Sequence, residues 1–157
     1  MTDTDAVILA ILARCEQIAA GFDEIVPFVA SVLPVADDDL AHLAVVERIA
    51  SIALLKRYEQ LQDMLARLGR AYLVWELEPV ARLTRRDFAN KMEQLGFVAD
   101  ADDWIDYAEL RNRLTHEYPI EKTEQVDRVN ECWAAMPRLV AILAAMRTRL
   151  TQKGLSR

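Results

Sequence analysis

From Leu40 to about Leu77 the chain contains no proline, and Leu54, Tyr58, Leu61, Leu65, Leu68, Tyr72 and Trp75 recur at alternating spacings of four and three. At 3.6 residues per turn this spacing lays all of them on one stripe of an α-helix. If unbroken, the helix is about 55 Å long, and a rod of that length leaves the rest of the chain to pack along it. Gly69 is its only weak point. Leu55, Met64, Leu73, Val74 and Leu77 widen the apolar surface towards the C-terminal half. A helix apolar on more than one side needs more than one partner. The expectation is that it packs on its own domain and on a second chain, in a homodimer with closed two-fold symmetry.

The remaining segments read as shorter rods of the same kind. Ile8, Leu12, Cys15, Ala19, Phe22, Val26 and Val29 form one stripe, which predicts a first helix from about Asp5 to about Val29. Gly21 and Pro27 interrupt it, so a bend or early stop near Pro27 is expected, and Pro34 closes the connection. Asp37, Asp38 and Asp39 precede the long helix and suit its positive end better than they suit a metal ion. Pro79 ends that helix. Thr84 and Asp87 make a capping signal for a short helix carrying Phe88, Met92 and Leu95, closed by Gly96 with Phe97 as its apolar contact. Asp100, Asp102 and Asp103 cap the next helix, which Trp104, Ile105, Ala108 and Leu114 anchor. A last helix starts near Thr123, with Val126, Val129, Trp133, Met136, Val140, Leu143 and Leu150 on its seam and a kink at Pro137. No β-type alternation, repeat or low-complexity segment intervenes. The chain is expected to be all-α, an up-and-down bundle of four to five helices forming one domain over residues 1–157.

Composition narrows the function classes. The two cysteines, Cys15 and Cys132, lie on apolar stripes without metal-ligand spacing and read as buried thiols. Met1 is followed by an acidic stretch rather than a basic leader, and no run reaches membrane-spanning length without charges, so a soluble cytoplasmic protein is expected. A net charge of -6 argues against a general nucleic-acid coat, though not against an enzyme that engages one phosphate through a local patch. Two basic groups, Arg82/Arg85/Arg86/Lys91 and Arg147/Arg149/Lys153/Arg157, read as solvated faces and a frayed tail.

The chemistry concentrates in Glu109-Leu-Arg-Asn-Arg-Leu-Thr-His-Glu-Tyr-Pro119, which holds one of the two histidines. Pro119 lacks an amide hydrogen and pushes Tyr118 towards extended backbone, so the helix should end near His116. Asn112 and His116, four apart, share a face, with Arg111 offset but within reach. A guanidinium, an amide and an imidazole at one helix end suit a phosphate group. His42, near the start of the long helix, reads as a partly exposed structural histidine. Glu59 and Asp63 share a face of the long helix and could orient His116 or Arg111, but solvated carboxylates are the simpler reading.

Arg111, His116 and Tyr118 also spell R-x4-H-x-Y. With the surrounding Leu-Arg-Asn-Arg-Leu-Thr-His-Glu-Tyr-Pro and the order of helices, the chain resembles the HEPN superfamily in its HepT-like toxin branch, over nearly its whole length. The resemblance implies an endoribonuclease with a composite site in a dimer and a 2′,3′-cyclic phosphate product. It also implies a partner, a minimal nucleotidyltransferase antitoxin that transfers AMP groups onto the motif tyrosine, here Tyr118.

The residues themselves are compatible with that chemistry. RNA carries its own nucleophile, the 2′-OH, so a base and a cation suffice without metal or other cofactor. His116 is the candidate base, Arg111 the cation for the crowded phosphorane, and Asn112 can orient the phosphate or the imidazole. No HExxH, clustered His/Cys set, phosphate-binding glycine loop or GxSxG turn occurs. An acid for the leaving 5′-oxygen would come from a second chain. The alternative is a non-catalytic helical subunit that binds a nucleotidyltransferase and helps hold its substrate; the acidic charge favours this second reading, the intact motif the first.

Overall fold

The structure, a computed structural model, describes residues 1–117 and 119–155. Five helices carry these residues: α1 (Asp3–Val29), α2 (Val45–Trp75), α3 (Arg85–Gln94), α4 (Ala101–His116) and α5 (Lys122–Gln152). A single 3-10 turn, Leu40–His42, precedes α2, and no strand occurs among the described residues. The all-α bundle expected from the periodicity is what forms.

Side-chain bonds fix the directions of the rods. Trp75 Nε1 donates to Asp5 at 2.7 Å, joining the end of α2 to the start of α1, so these helices form an antiparallel hairpin. Asn130, early in α5, accepts from the Val35 amide at 2.7 Å and donates to its carbonyl at 2.8 Å, pinning the α1–α2 connection to α5. At the other end Lys153 binds Glu76 at 2.7 Å, so α5 runs parallel to α2. Helix α4 runs against α5, because Arg113 pairs with Glu131 while the later Glu117 meets the earlier Arg128. The stripe of α2 fills the centre: Leu54, Tyr58, Leu61, Leu65, Leu68 and Tyr72 are all buried, against Ile8, Leu12, Cys15 and Phe22 of α1 and Val129, Met136, Leu139 and Leu143 of α5.

Helix ends follow local chemistry. Thr2 with Asp5 and Thr84 with Asp87 form capping boxes, and Asp100 caps α4 through the Asp102 amide at 2.8 Å. Asp39 also caps, but it caps the 3-10 turn through the Ala41 amide at 2.9 Å. Leu43 and Ala44 are then extended, and α2 starts only at Val45, where Glu47 reaches back to the Ala44 amide. The rod is therefore about 46 Å long rather than 55 Å. Gly96 and Gly154 take positive φ just past α3 and α5, and the following Phe97 and Leu155 return amides to Met92 and Leu150 and are buried. Leu77 occupies the equivalent left-handed position after α2, at φ 61. The prolines stop neither helix that contains them: α1 continues past Pro27 to Val29, and α5 runs unbroken past Pro137.

The apolar surplus of α2 is placed differently from the expectation. Leu73 is buried, and Leu55 and Met64 are half-buried against the core, leaving only Val74 and Leu77 open at the C-terminal end. The larger exposed apolar run lies at the start of the helix, in Val45, Val46, Ile49 and Ile52, each half or more exposed. Helix α5 is long and apolar enough by composition to cross a membrane, yet the residues that make it so line the core of the bundle.

Candidate functional site

Helix α4 delivers the motif. Its Trp104 is buried against Phe88, ring centroids 5.7 Å apart, and Leu110 is buried as well. Tyr58 of α2 donates to the Tyr107 carbonyl at 2.9 Å, which sets the height of α4 on the bundle. The helix ends at His116, as the following proline predicts, and Glu117 is extended. From α5, the buried Arg128 donates to the Glu117 carbonyl, and its other nitrogen lies 3.8 Å from the Glu117 carboxylate. This arginine holds the exit of α4, and sequence reasoning missed it because its position on α5 reads as one more charge between apolar residues. Tyr118, the expected modification site, lies outside the described residues.

The structure brings Arg111 and Asn112 together. Arg111 Nη1 donates to Asn112 Oδ1 at 3.2 Å, and Nη2 donates to Asp63 of α2 at 3.0 Å. Asp63 is thus an ion-pair partner rather than a solvated carboxylate, and it is shared with Arg67 at 3.1 Å. Both partners of the Arg111–Asp63 pair are about a third exposed, which limits its worth to about 1 kcal/mol. Its value lies in orientation, since it leaves the guanidinium at one place on the surface of the bundle. The cost is local: Arg111 Nε is buried without a hydrogen-bond partner. Glu59, the other candidate orienter, pairs with Lys56 of its own helix at 3.4 Å.

His116 stands apart from that cluster. Five positions separate it from Arg111, a rotation of about 140° around the helix and a rise of about 7.5 Å. It is exposed, and it lines a groove of about 880 Å3 between α4 and α5 together with Asn112. Arg111 does not line that groove; Asn112 is the residue that touches both. The other charged residues lining the groove are mainly acidic: Asp103, Asp106, Glu109, Glu117 and Glu131 against Arg113 and Arg138. Burial, together with Asp103 and Asp106, pushes the Tyr107 phenol up in the same groove. The groove of the histidine therefore carries an excess of carboxylates, while the guanidinium of the motif pairs with α2 outside it.

The other histidine, His42, is exposed at the end of the 3-10 turn. Burial pushes the Cys15 thiol up to about 12 and moves Cys132 in the same direction, so both are unreactive core thiols. The basic groups read as solvated are largely paired: Arg86 with Asp102, Lys91 with Glu78, Arg147 with Glu16 and Lys153 with Glu76. Among the described residues no group of three His, Cys, Asp or Glu side chains converges to hold a metal ion.

An outer stripe of α2 runs up to the site. Val45, Ile49, Ile52, Lys56, Glu59 and Asp63 follow each other at spacings of four and three along it. Its first half is the exposed apolar run and its last residue holds Arg111. Ile52 and Leu55 also line a groove of about 450 Å3 with Leu114, Glu117 and Pro119, directly beside the end of α4. Comparisons of the chain with protein families, with curated proteins and with solved structures return no match.

Proposed function

We propose that the chain is a toxin-type endoribonuclease that cleaves RNA without a metal ion, acts as a two-fold homodimer and is restrained by a nucleotidyltransferase antitoxin. The observation that carries this reading is the set at the end of α4: Arg111 held by Asp63 and Asn112, with His116 exposed one turn further on. His116 takes the proton from the 2′-OH, and the 2′-oxygen attacks phosphorus. The P–O5′ bond breaks, giving a 2′,3′-cyclic phosphate and a 5′-hydroxyl. Arg111 stabilises the charge on the phosphorane, and Asn112 orients the phosphate or the imidazole. The acid for the leaving oxygen comes from the partner subunit. Within one chain Arg111 and His116 point to different sides of α4, so a site using both needs a second copy. The outer stripe of α2 supports a second copy: Val45, Ile49 and Ile52 are exposed on the same stripe that carries Asp63, which lies about 16 Å further along the helix from Ile52.

The HEPN resemblance supplies the rest of the proposal, with Tyr118 as the acceptor of AMP groups whose charge and bulk block RNA. Co-expression with the nucleotidyltransferase should then add mass in AMP units, absent in Tyr118→Phe. The direct test of the toxin reading is growth on induction: arrest with the wild type, relief with His116→Ala, and cleavage by the purified protein that persists in EDTA. Metal-dependent cleavage, or arrest that survives His116→Ala, refutes the mechanism.

A second reading has its own support. The five carboxylates lining the groove that His116 shares and the neutralisation of Arg111 by Asp63 favour a non-catalytic subunit that binds a nucleotidyltransferase. It predicts a stable complex with that partner, no growth arrest and no effect of His116→Ala.

A further inference from the structure

The positive charge of this acidic chain collects in a place the motif does not announce. Arg14, Gln17, Arg57, Gln60 and Asp63 line a groove of about 590 Å3 between α1 and α2. Arg57 is seated by a gap in α1 at Gly21, which lines an adjoining groove shared by Arg57 and Glu24. A Cβ at Gly21 would stand 2.8 Å from its Nε and 3.0 Å from its Cζ, so only a glycine leaves the space. Glycine is a poor residue for a helix interior, and here its missing side chain leaves the floor on which the guanidinium lies. Arg57 is also tied to Gln60 at 3.1 Å. Among the described residues neither Arg14 nor Arg57 has an ion-pair partner, unlike the paired cations at both ends of the bundle. The groove's single carboxylate, Asp63, is already shared by Arg111 and Arg67. Two guanidinium groups without an ion-pair partner thus line the groove, and two more hold its one carboxylate, in a chain of net charge -6. Such an excess at one spot suits a polyanion.

We propose that the groove between α1 and α2 is a phosphate-binding track, in which Arg14 and Arg57 hold backbone phosphates of a single-stranded RNA next to the linkage that Arg111 engages. This rests on the ribonuclease reading and adds the path of the strand. No aromatic side chain lines the track, so it holds phosphates without stacking on bases and is tolerant of sequence.

The test uses the full chain and a labelled single-stranded RNA with 2′-O-methyl sugars, which binds but cannot be cut. Anisotropy titrations are run over a range of salt. The wild type binds, with affinity falling as salt rises. The double variant Arg14→Ala/Arg57→Ala binds about ten-fold or more weakly, and its log–log salt slope drops by about 1.4, or about 0.7 for each phosphate no longer neutralised. Gly21→Ala keeps both charges but unseats Arg57, so it weakens binding while its melting temperature does not fall; Arg57→Gln serves the same end if the double variant melts early. Arg82→Ala, on an exposed turn, binds as the wild type. Equal binding by wild type and double variant overturns the track and leaves the nuclease reading standing. A wild type without affinity for this RNA overturns both.

Discussion

The two glycines inside the helices should respond to the same substitution with opposite signs. In a helix interior alanine is favoured over glycine by about 1 kcal/mol. At Gly21 the new Cβ meets only the far end of Arg57, 2.8 Å away, which can swing into solvent. Most of the propensity gain should therefore survive. At Gly69 the Cβ would lie 2.7 Å from Phe88 Cζ and 3.0 Å from Met92 Sδ, both buried. The Phe88 ring cannot retreat: Trp104 packs on it at 5.7 Å and the Arg70 guanidinium lies over it at 4.9 Å. Overpacking of this kind costs about 1–3 kcal/mol, so Gly69→Ala should come out between neutral and about 2 kcal/mol destabilising. The midpoints of the two variants should differ by on the order of 5 °C for a chain of this size. Urea unfolding followed by circular dichroism, with unchanged m, checks that the difference is one of stability. If Gly69→Ala stabilises as much as Gly21→Ala, the close packing of α3 on α2 is refuted.

Other perturbations follow from individual side chains. Leu77 is 92% exposed with φ 61, so Leu77→Gly should raise stability by about 1 kcal/mol, read as a higher melting temperature. The buried thiols hold their protons to high pH, Cys15 to about 12, whereas an unfolded thiol loses its proton near about 8.5. Their contribution to stability is complete below that lower value and is lost as pH rises above it. Urea midpoints at pH 8 and pH 10 should show the drop, and Cys15→Ala/Cys132→Ala should show less of it. Asp63→Asn removes the carboxylate that orients Arg111 and should lower kcat for RNA cleavage by about ten-fold or more with a smaller change in KM; a change confined to KM contradicts the positioning role. Ile49, 63% exposed on the outer stripe of α2, should tolerate Ile49→Glu without loss of fold. Sedimentation should then show a monomer and the wild type the proposed dimer, and cleavage should fall with it; a wild type already monomeric at micromolar concentration removes the basis for a shared site.

What the sequence made legible was whatever one helix decides for itself. The seams of α1, α2 and α5, the Thr84–Asp87 capping box, and the ending of α3 at Gly96 and Phe97 all rest on neighbours within two turns of each other, whereas the Thr2–Asp5 box of α1 emerged only in the structure. Even the local signals misled where two competed. Asp39 caps as expected, but it caps a 3-10 turn, because Leu43 and Ala44 stay extended and Glu47 supplies a second start. Long-range choices were not legible. Whether Leu73 faces solvent or core depends on elements distant in the chain, and so the open apolar face fell at Val45–Ile52 instead. The partner of Arg111 is 48 residues away on another helix, and Asn130 reaches 95 residues back to Val35. Spacing along one helix did place Asn112 and His116 on a common groove, but not the Asp63 carboxylate of α2 that draws Arg111 away from it.

In the proposed reaction RNA is cut by attack of its own 2′-oxygen with His116 as base. The direct measurement is mass analysis of the ends left on an RNA oligonucleotide incubated in EDTA with the wild type and with His116→Ala. The expected result is 2′,3′-cyclic phosphate and 5′-hydroxyl ends with the wild type and intact RNA with His116→Ala. Ends bearing a 5′-phosphate, or the same products from His116→Ala, would contradict it.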